Sequence, residues 1–384
     1  MKFKRYNILY LDGGWNIGGG QRSLLLLLKY LDKSRFRPFV GCSADSMLAA
    51  EARKAEHTIV PLDLPGPHDK MDSVRRFTFG DLIGDLRLMG VIYQLLRAIR
   101  EKQIDLIHAN SLATALIGGV AAKFSGVPTL MHKRYATSYG LLDRIGEKLV
   151  DGVILVSKAT RWTFAPQSRQ SLIYNGVDVA GFHVSEAQVE ALRMDLHLSR
   201  EDLLAGSVTR ITPEKGIHRL IEAMAQLKDQ PRIKLIIVGG PYFRKDIDYL
   251  DYLKAQTKKL GLTDRVVFTG FLAETRVIIS LLDMMLLASN VPEACPRMII
   301  EAMAAGKPVI TTPLGGSEEL VTLETGIFVP PENPTGFAEA IRMLAKNRER
   351  LRQMGRAGRT RAEQLFGAEK NARLTEELYL RFLN

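Results

Sequence analysis

Two glutamates, Glu293 and Glu301, flank a predicted helix start in the segment NVPEACPRMIIEAMAAGKPVITTPLGGSEEL, residues 290–320. Pro296 suits the first helical position, where its missing N–H costs nothing, and Gly306 suits the position just after the helix end. The spacing predicts a helix of about three turns, with Glu293 in the loop before it and Glu301 on its buried side. Two carboxylates beside the free amides of a helix start are suited to a phosphorylated, hydroxyl-rich molecule.

Arg210 and Lys215 place two positive charges in a second predicted strand-to-helix loop, TRITPEKG. Arginine offers a planar fork of donors and lysine a compact charge, so the pair would neutralise a diphosphate without a metal ion. Surface loops often carry both residue types, which is the alternative interpretation. With a ligand present, the helix start at 296–298 adds backbone donors to the same phosphates, Glu301 accepts from ribose hydroxyls and Glu293 from sugar hydroxyls.

A glycine cluster follows the first predicted strand, in the sequence YNILYLDGGWNIGGGQRSLLLLLKYL. Gly18, Gly19 and Gly20 would let the backbone approach a ligand closely, and the helix that begins there favours negative charge. A tight turn with no ligand explains the same residues equally well.

Two histidines close strand-like runs in the first half, His108 in DLIHAN and His132 in TLMHKR. The carboxyl ends of parallel strands are the edge at which open α/β sheets bind ligands. A lone histidine is more often a structural hydrogen-bonding group than a reactive one. We favour His108 over His132 for a functional role.

Asp246 and Asp248 have the D-x-D spacing that some metal-dependent sugar transferases use. They lie in the charged helical stretch FRKDIDYLDYLKAQTKKL, and a solvated helix face is the interpretation we prefer. The two cysteines, Cys42 and Cys295, are too few for a disulfide framework or a cysteine-rich metal site. The sequence also contains no HExxH, CxxC, P-loop or GxSxG pattern. We therefore predict neither a metal site nor a cofactor.

The length of 384 residues, with 46% apolar and 25% charged residues, predicts two globular domains. The sequence contains no run of eighteen or more apolar residues, so we expect no membrane-spanning segment. The start, MKFKRYNILYLDGG, is interpreted as a first strand and not as a signal peptide. With so few cysteines, a reducing cytoplasm is the expected location.

The net charge of +11 is uneven, because residues 1 to 180 hold 25 Lys and Arg against 16 Asp and Glu, a net +9. A nucleic-acid partner is not predicted, since neither a basic groove with aromatic residues nor a recognition helix is found. An anionic membrane face or a phosphorylated acceptor fits the charge better, and the loop Arg75-Arg76-Phe77 would contact lipid headgroups. Solubility alone is the alternative explanation.

Strand-like runs alternate with helical segments along the chain, which predicts doubly wound parallel sheets. In the first half the runs are 6–12, 39–42, 58–62, 105–108, 129–132 and 153–156. Turn-forming residues at 164–182, including Asn175-Gly176, mark the linker. We predict two similar Rossmann-like domains facing each other across a cleft, residues 1–172 and 173–365, with a C-terminal helix at about 366–384 packing back on the first.

These motifs resemble those of the retaining, GT-B fold glycosyltransferases of family 4, also called glycosyl transferase group 1. Glu293 and Glu301 match the family's E-x7-E motif, and EAMAAGKPVITT with GG-x-x-E follows them. Arg210 and Lys215 match its diphosphate-binding pair, residues 175–178 its NGVD linker, and 18–22 its N-terminal glycine turn. The resemblance covers nearly all of the chain.

The resemblance implies transfer of a sugar from a nucleotide-sugar to a glycan, lipid-linked or lipopolysaccharide-type acceptor bound mainly by the first domain. The anomeric configuration would be retained without a metal, by a cytoplasmic protein that is peripheral on the inner face of the plasma membrane if it engages lipid. The implied catalytic residues are Glu293, His108, Arg210 and Lys215. The implied donor-binding set adds Gly18, Gly19, Gly239, Thr269, Gly270, Phe271, Ala294, Cys295, Pro296, Arg297, Met298 and Glu301. His132, Lys133 and Arg134 are placed on the acceptor side.

Two positions depart from the family pattern: Gln21 replaces the glutamate of GGxE, and Ala294-Cys295 follow Glu293 where Gly-Phe is usual. These departures leave the identity of the donor open, with a UDP-sugar favoured over a GDP-sugar. A nucleotide-sugar 2-epimerase of the same fold and a non-catalytic sugar-nucleotide binding module remain as alternatives.

Overall fold

The computed structural model describes residues 4–64, 86–161, 166–241 and 244–383. The chain divides into two compact units: the first is Met1–Gly176 together with Ala368–Asn384, and the second is Val177–Gly367. The basic loop Arg75-Arg76-Phe77 lies outside the described residues. Within those described ranges, no helix is long and apolar enough to cross a membrane.

The first unit is built on a seven-stranded parallel sheet with the order β3-β2-β1-β4-β5-β6-β7. Its strands are β1 (Tyr6–Leu11), β2 (Phe36–Cys42), β3 (Thr58–Pro61), β4 (Leu106–Ala109), β5 (Thr129–Lys133), β6 (Gly152–Leu155) and β7 (Gln170–Leu172). The central strands are buried on both faces, which explains why their sequences are continuous apolar runs and not alternating ones.

Helices cover both faces of this sheet. They are α1 (Gly19–Tyr30), α2 (Met47–Lys54), α3 (Leu86–Glu101), α4 (Leu112–Ser125) and α5 (Leu141–Leu149). Helix α1 packs with β1 and β2 in one apolar cluster, and α3 and α4 pack in another around Leu9 and Ile107.

The second unit is built on a six-stranded parallel sheet with the order β10-β9-β8-β11-β12-β13. Its strands are β8 (Leu203–Val208), β9 (Ile233–Val238), β10 (Val266–Gly270), β11 (Met284–Leu287), β12 (Val309–Thr311) and β13 (Gly326–Phe328). The helices are α6 (Glu186–Asp195), α7 (Ile217–Ala225), α8 (Arg244–Lys259), α9 (Arg276–Leu281), α10 (Arg297–Ala304), α11 (Gly316–Leu320), α12 (Pro334–Lys346) and α13 (Arg348–Arg361).

The last helix, α14 (Ala368–Leu383), belongs to the first unit although it follows the second in the sequence. Tyr379 of this helix is fully buried, and its ring centroid lies 5.8 Å from that of Phe36. Asn371 Nδ2 donates to the Tyr174 carbonyl over 2.6 Å and so fixes the start of the helix to the end of the first unit's chain.

The predicted doubly wound parallel α/β fold is confirmed in both units, and each predicted strand is present with small differences at its ends. Strand β7 was not predicted, because QSL is short and only one of its three residues is apolar. The helix after Glu293 is shorter than expected: Pro296 is its N-cap and not its first residue, and α10 has eight residues.

Candidate functional site

In each sheet the strand order reverses beside a central strand, between β1 and β4 in the first unit and between β8 and β11 in the second. The carboxyl ends of such neighbouring strands form a crevice in which open α/β sheets bind ligands. In the second unit, the loops that follow β8 and β11 carry Arg210, Lys215, Ser289 and Glu293. Three of the predicted donor-binding residues, Arg210, Lys215 and Glu293, therefore lie at one edge of the second unit's sheet, whereas Gly18 and Gly19 lie in the first unit.

Lys215 and Glu293 form an ion pair at this edge. The same Glu293 oxygen, Oε1, also accepts a hydrogen bond from Ser289 Oγ. The side chains of Lys215 and Glu293 are only 14% and 12% exposed. The charges are thus mostly withdrawn from water, and each compensates the other in the absence of a ligand.

Backbone contacts fix the two loops that carry this ion pair. The Asn290 N–H donates to the Glu214 carbonyl over 3.0 Å, which joins the loop after β11 to the short helical turn Pro213–Lys215. Thr312 Oγ1 donates to the Ser289 carbonyl over 2.7 Å. The position of Glu293 is therefore set by three segments of the second unit.

The glycine pair at 315–316 packs directly on the backbone of the Glu293 loop. Gly315 has φ +63°, and a Cβ atom there would lie 2.4 Å from the Glu293 carbonyl oxygen. A Cβ atom at Gly316 would lie 2.0 Å from the Ala294 carbonyl oxygen. The Gly316 N–H donates to the Glu293 carbonyl over 2.6 Å. Only residues without a side chain permit this approach.

Helix α10 presents its amino end beside the same loop. Its N-cap, Pro296, provides no side-chain hydrogen bond, so the first amides of the helix are not capped in this way. Arg297 pairs with Glu301 one turn later, with NH2 2.9 Å from Oε1. Glu301 is buried as predicted, and Arg297 is the basic neighbour that its burial requires. Cys295 and Met298 are buried beside it.

Gly239 shapes the loop that carries Arg210. Its φ is +143°, and a Cβ atom there would lie 1.8 Å from the Thr209 carbonyl oxygen. The Arg210 side chain is exposed at this loop. Nearby, the Gly239 N–H donates to the Gly270 carbonyl over 2.9 Å, which places the end of β10 next to it. Phe271, which follows, is 63% exposed.

In the first unit, Asp12 organises the glycine turn at the end of β1. Its Oδ1 atom accepts from the Gly14 N–H over 2.7 Å and from Gln21 Nε2 over 2.8 Å. Gln21 Oε1 in turn accepts from the Gly18 N–H over 3.0 Å. Gly18 is the N-cap of α1 and Gly19 its first residue. The Gly18 amide is thus engaged within the turn.

Arg134 is held by two asparagines and a histidine. Its Nε atom donates to Asn110 Oδ1 over 2.7 Å, and NH1 donates to Asn175 Oδ1 over 2.6 Å. The NH2 atom lies 3.1 Å from His132 Nδ1. Asn110 Nδ2 donates to Asp12 Oδ2 over 2.5 Å. These contacts connect the glycine turn to the carboxyl ends of β4 and β5.

His108 is fully buried, and both of its ring nitrogens have partners. Its Nδ1 atom lies 2.6 Å from Tyr379 Oη and its Nε2 atom 3.2 Å from His132 Nδ1. Burial, with a smaller contribution from the Arg134 charge, lowers the pKa of His108 to about 3. This is the environment of a structural hydrogen-bonding histidine, and direct contact with a sugar would require a ring nitrogen to leave its partner.

His132 and Lys133 end β5 in different environments. His132 is 2% exposed, and its Nε2 atom has no hydrogen-bond partner among the described residues. Lys133 is also buried, with Nζ 4.9 Å from the centroid of the Tyr135 ring. Burial lowers the pKa of Lys133 to about 8, and the charge of Asp143 opposes this. The two side chains therefore present different groups to an acceptor: His132 presents a ring nitrogen and Lys133 an amino group.

The D-x-D aspartates do not share an environment, since Asp246 is fully buried and Asp248 is exposed on α8. In the part of the chain that the structure describes, no three His, Cys, Asp or Glu side chains are grouped as metal ligands.

Sequence reasoning missed Ser289, Asp12 and Asn110, all of which follow the carboxyl end of a central strand. Position alone was the available signal, because each follows a strand-like run at the edge where sites form. Tyr379 carried no such signal, since its contact with His108 depends on how the last helix packs.

Two parallel-sheet α/β units with polar loops at the carboxyl ends of their central strands are the architecture of the GT-B glycosyltransferases. Residues 17–180 match the model for Glycosyltransferase Family 4, and residues 188–361 match the model for glycosyl transferases group 1. The chain belongs to this family of enzymes, the group 1 glycosyltransferases. The resemblance inferred from the motifs is thereby confirmed.

Similar proteins come from several bacteria. The chain is 29% identical over 304 residues to YtcC of Bacillus subtilis (strain 168), which covers 73% of this chain and 74% of that protein. It is 24% identical over 333 residues to UDP-Gal:alpha-D-GlcNAc-diphosphoundecaprenol alpha-1,3-galactosyltransferase of Escherichia coli, over 80% and 84% of the two chains. The crystal structure of Anabaena HepE in complex with UDP has a TM-score of 0.84 and 25% identity, and covers 98% of this chain and all of that one.

Proposed function

We propose that this glycosyltransferase moves a sugar from a nucleotide-sugar, with a UDP-sugar favoured over a GDP-sugar, to a glycan, lipid-linked or lipopolysaccharide-type acceptor. The reaction retains the anomeric configuration and needs no metal. The observation that carries the proposal is the mostly buried Lys215–Glu293 ion pair, which lies beside β8 and β11, where the strand order of the second sheet reverses. A lysine for the diphosphate and a carboxylate for the sugar already lie in contact there.

The diphosphate binds to Lys215, Arg210 and the backbone amides at the start of α10. Negative charge builds on the leaving diphosphate as the sugar becomes cation-like, and fixed positive groups stabilise that change most where water is excluded. Lys215 is only 14% exposed, whereas Arg210 is exposed at the loop after β8. We therefore assign the larger share of leaving-group stabilisation to Lys215.

The two glutamates have separate roles. Glu301, which pairs with Arg297 on the buried side of α10, accepts from the ribose hydroxyls. Glu293 accepts from hydroxyls of the transferred sugar once Lys215 has turned to the phosphates. The segment 269–271, which ends at the exposed Phe271, borders the base, and Gly239 keeps the neighbouring backbone close.

The transferred sugar keeps its configuration because attack and departure use the same face. The acceptor oxygen forms a bond to the anomeric carbon as the bond from that carbon to the phosphate oxygen breaks. The proton of the acceptor hydroxyl passes to the departing phosphate oxygen, so that no protein nucleophile or base is needed. Glu293 orients the sugar in this scheme and is not alkylated.

Names of related proteins support the choice of substrates. HepE binds UDP, and a second structure of it, with a TM-score of 0.83, contains UDP-glucose. The Escherichia coli relative is named for a UDP-galactose donor and a diphosphoundecaprenol-linked acceptor. A UDP-sugar and a lipid-linked acceptor are therefore the pair we expect.

The acceptor binds to the first unit at the carboxyl ends of β4 and β5, where one ring nitrogen of His132 has no hydrogen-bond partner among the residues that the structure describes. The first half also carries most of the positive charge, and Met89 and Tyr93 on α3 are each 69% exposed. We expect weak binding to an anionic membrane surface. Sedimentation with anionic and with neutral liposomes tests this, and equal binding to both contradicts it.

A thermal-shift panel of UDP, GDP, ADP and their sugars tests the donor. A ligand at 100 times its Kd stabilises the protein by about 2.7 kcal/mol. We expect a clear shift with UDP and UDP-sugars, and no shift with any nucleotide would contradict the proposal. Product analysis with donor alone separates the epimerase alternative, because an epimerase converts the donor without an acceptor.

A further inference from the structure

A chain of hydrogen bonds runs through the interior of the first unit from Arg134 to Tyr10. Arg134 NH2 lies 3.1 Å from His132 Nδ1, which lies 3.2 Å from His108 Nε2. His108 Nδ1 lies 2.6 Å from Tyr379 Oη, and Tyr379 Oη lies 3.2 Å from Tyr10 Oη. The other ring nitrogen of His132, Nε2, is buried and has no partner within the described ranges.

Both histidines are neutral, because burial lowers the pKa of His108 to about 3 and that of His132 well below 6.5. A neutral imidazole donates from one nitrogen and accepts at the other. The hydrogen bonds from His132 through His108 to Tyr379 must therefore all run in the same direction. Two directions are possible, and each assigns a different tautomer to His132.

In the forward direction, the guanidinium of Arg134 donates to His132 Nδ1, since a guanidinium can only donate. His108 Nε2–H points at the same nitrogen and shares its single lone pair with Arg134, and the Tyr379 hydroxyl donates to His108 Nδ1. The ring proton of His132 is then on Nε2. This leaves a buried N–H donor with no protein partner.

In the reverse direction, Tyr379 donates to Tyr10, His108 donates to Tyr379, and His132 Nδ1–H donates to His108. That arrangement points the Nδ1 proton of His132 at an N–H group of Arg134 only 3.1 Å away. Two facing donors, one of them charged, lose a charge-assisted hydrogen bond. The gains are a hydroxyl contact at 3.2 Å and a lone pair on His108 Nε2 that is not shared, and both involve neutral groups only. The forward direction is the more stable.

We propose that Arg134 is a positioning residue that sets the direction of this chain and thereby holds His132 as an Nε2–H donor to a hydroxyl oxygen of a bound sugar. The ligand in this inference rests on the proposed function, while the direction of the chain rests on the contacts alone. Contacts with Asn110 and Asn175 hold the guanidinium on two further sides, which is why we assign Arg134 to positioning instead of direct acceptor binding.

The tautomer of His132 is measured by two-bond ¹H–¹⁵N NMR correlation on protein labelled at histidine, with the His132 signals assigned by a His132→Gln variant. We expect the Nε2–H tautomer in the wild type and the Nδ1–H tautomer in Arg134→Met, because the chain reverses when the charged donor is removed. Asn175→Ala is the control, since it removes another Arg134 contact and should leave the tautomer unchanged. An Nδ1–H tautomer in the wild type overturns the proposal even if Arg134→Met fails to fold.

Tyr10 provides a second control because it accepts a hydrogen bond only in the reverse direction. Tyr10→Phe alone should leave His132 unchanged, whereas in the Arg134→Met background it should hinder the reversal and give mixed tautomers. Full reversal in the double variant would show that Tyr10 and Tyr379 are not part of the chain, and would overturn this account of it.

Activity then tests the link to a sugar ligand. Glutamine at 132 offers an N–H donor in the region of Nε2 whatever the state of the chain. Arg134→Met should lower transfer by roughly 10-fold in the wild-type background and much less in the His132→Gln background. An equal loss in both backgrounds contradicts the role of His132. The absence of any transfer, with the NMR result as expected, would instead count against the proposed function.

Discussion

Lys215 and Glu293, 78 residues apart in the sequence, form an ion pair in which both side chains are mostly buried. The pair forms without a ligand. When the donor binds, each side chain therefore has to leave the other and contact a substrate group instead. The lysine gains a diphosphate and the glutamate gains sugar hydroxyls. Substitution of Lys215 should therefore affect binding of the diphosphate, whereas substitution of Glu293 should affect contacts with the sugar.

Glu293→Gln should separate nucleotide binding from transfer. Without the carboxylate, Lys215 has no competing anion, so UDP should bind as tightly as in the wild type or more tightly. Transfer should fall by roughly 10- to 100-fold because a charge-assisted contact to the sugar is lost. Calorimetry and a transfer assay on the same preparation check both parts. Unchanged transfer would remove Glu293 from the site.

Gly315→Ala should destabilise the second unit and weaken UDP binding. An alanine is strained at the positive φ of Gly315, and its Cβ would also meet the Glu293 carbonyl oxygen. Gly261→Ala is the matched control, because Gly261 has φ +68° and nothing within 4 Å of an added Cβ. Urea unfolding should show Gly315→Ala losing about 1–3 kcal/mol more than the control. Equal losses would contradict the packing role of this turn.

Gln21→Glu, which restores the common family residue, should destabilise this particular protein. Gln21 Nε2 donates to Asp12 Oδ1 over 2.8 Å, and a carboxylate there cannot donate and would repel Asp12. We expect a loss of about 1–3 kcal/mol at neutral pH that diminishes in acid, where a protonated glutamate donates again.

Gln188→Glu is the control for this change. Gln188 occupies the same third position of a helix, α6, and also accepts from its N-cap amide, with no carboxylate bonded to it among its contacts. Denaturation at neutral and acidic pH should therefore affect the two variants differently. If both variants behave alike, the Asp12–Gln21 contact is not the cause.

Lys133 should make stability depend on pH in the alkaline range. Its pKa is lowered by burial from 10.5 to about 8, so between these values the folded protein has released a proton that the unfolded chain retains. Stability therefore rises with pH across this window, and the cost of the buried charge is fully present below about pH 8. Lys133→Met should remove this rise. If the free energy of unfolding, measured with urea, depends on pH in the same way in the wild type and in Lys133→Met, this prediction is contradicted.

The fold could be predicted because its strands are continuous apolar runs that end in polar or glycine-rich turns, and such runs identify buried parallel strands. Strand β7 escaped this signal, since QSL is too short and polar. The length of α10 was overestimated because Pro296 caps the helix from outside, where its backbone remains extended.

The candidate site was predictable where a residue lies in a loop soon after an apolar strand, as Lys215 and Glu293 do. It was less predictable where a side chain is oriented by a distant segment. His108 ends a strand at the expected edge, yet Tyr379 of the last helix occupies its Nδ1 atom. The contact between His108 and Tyr379 could not be predicted from the sequence, because it depends on how α14 packs against the first sheet.

The most direct test of the central claim is calorimetric titration of UDP into the wild type, Lys215→Ala and the control Lys228→Ala, whose exposed side chain lies outside the site. We expect UDP to bind the wild type and the control with the same Kd. Lys215→Ala should weaken binding by roughly 10- to 100-fold, which corresponds to about 1.5–3 kcal/mol of charge-assisted hydrogen bonding. Equal affinity in all three proteins, or no binding of UDP to the wild type, would contradict the account.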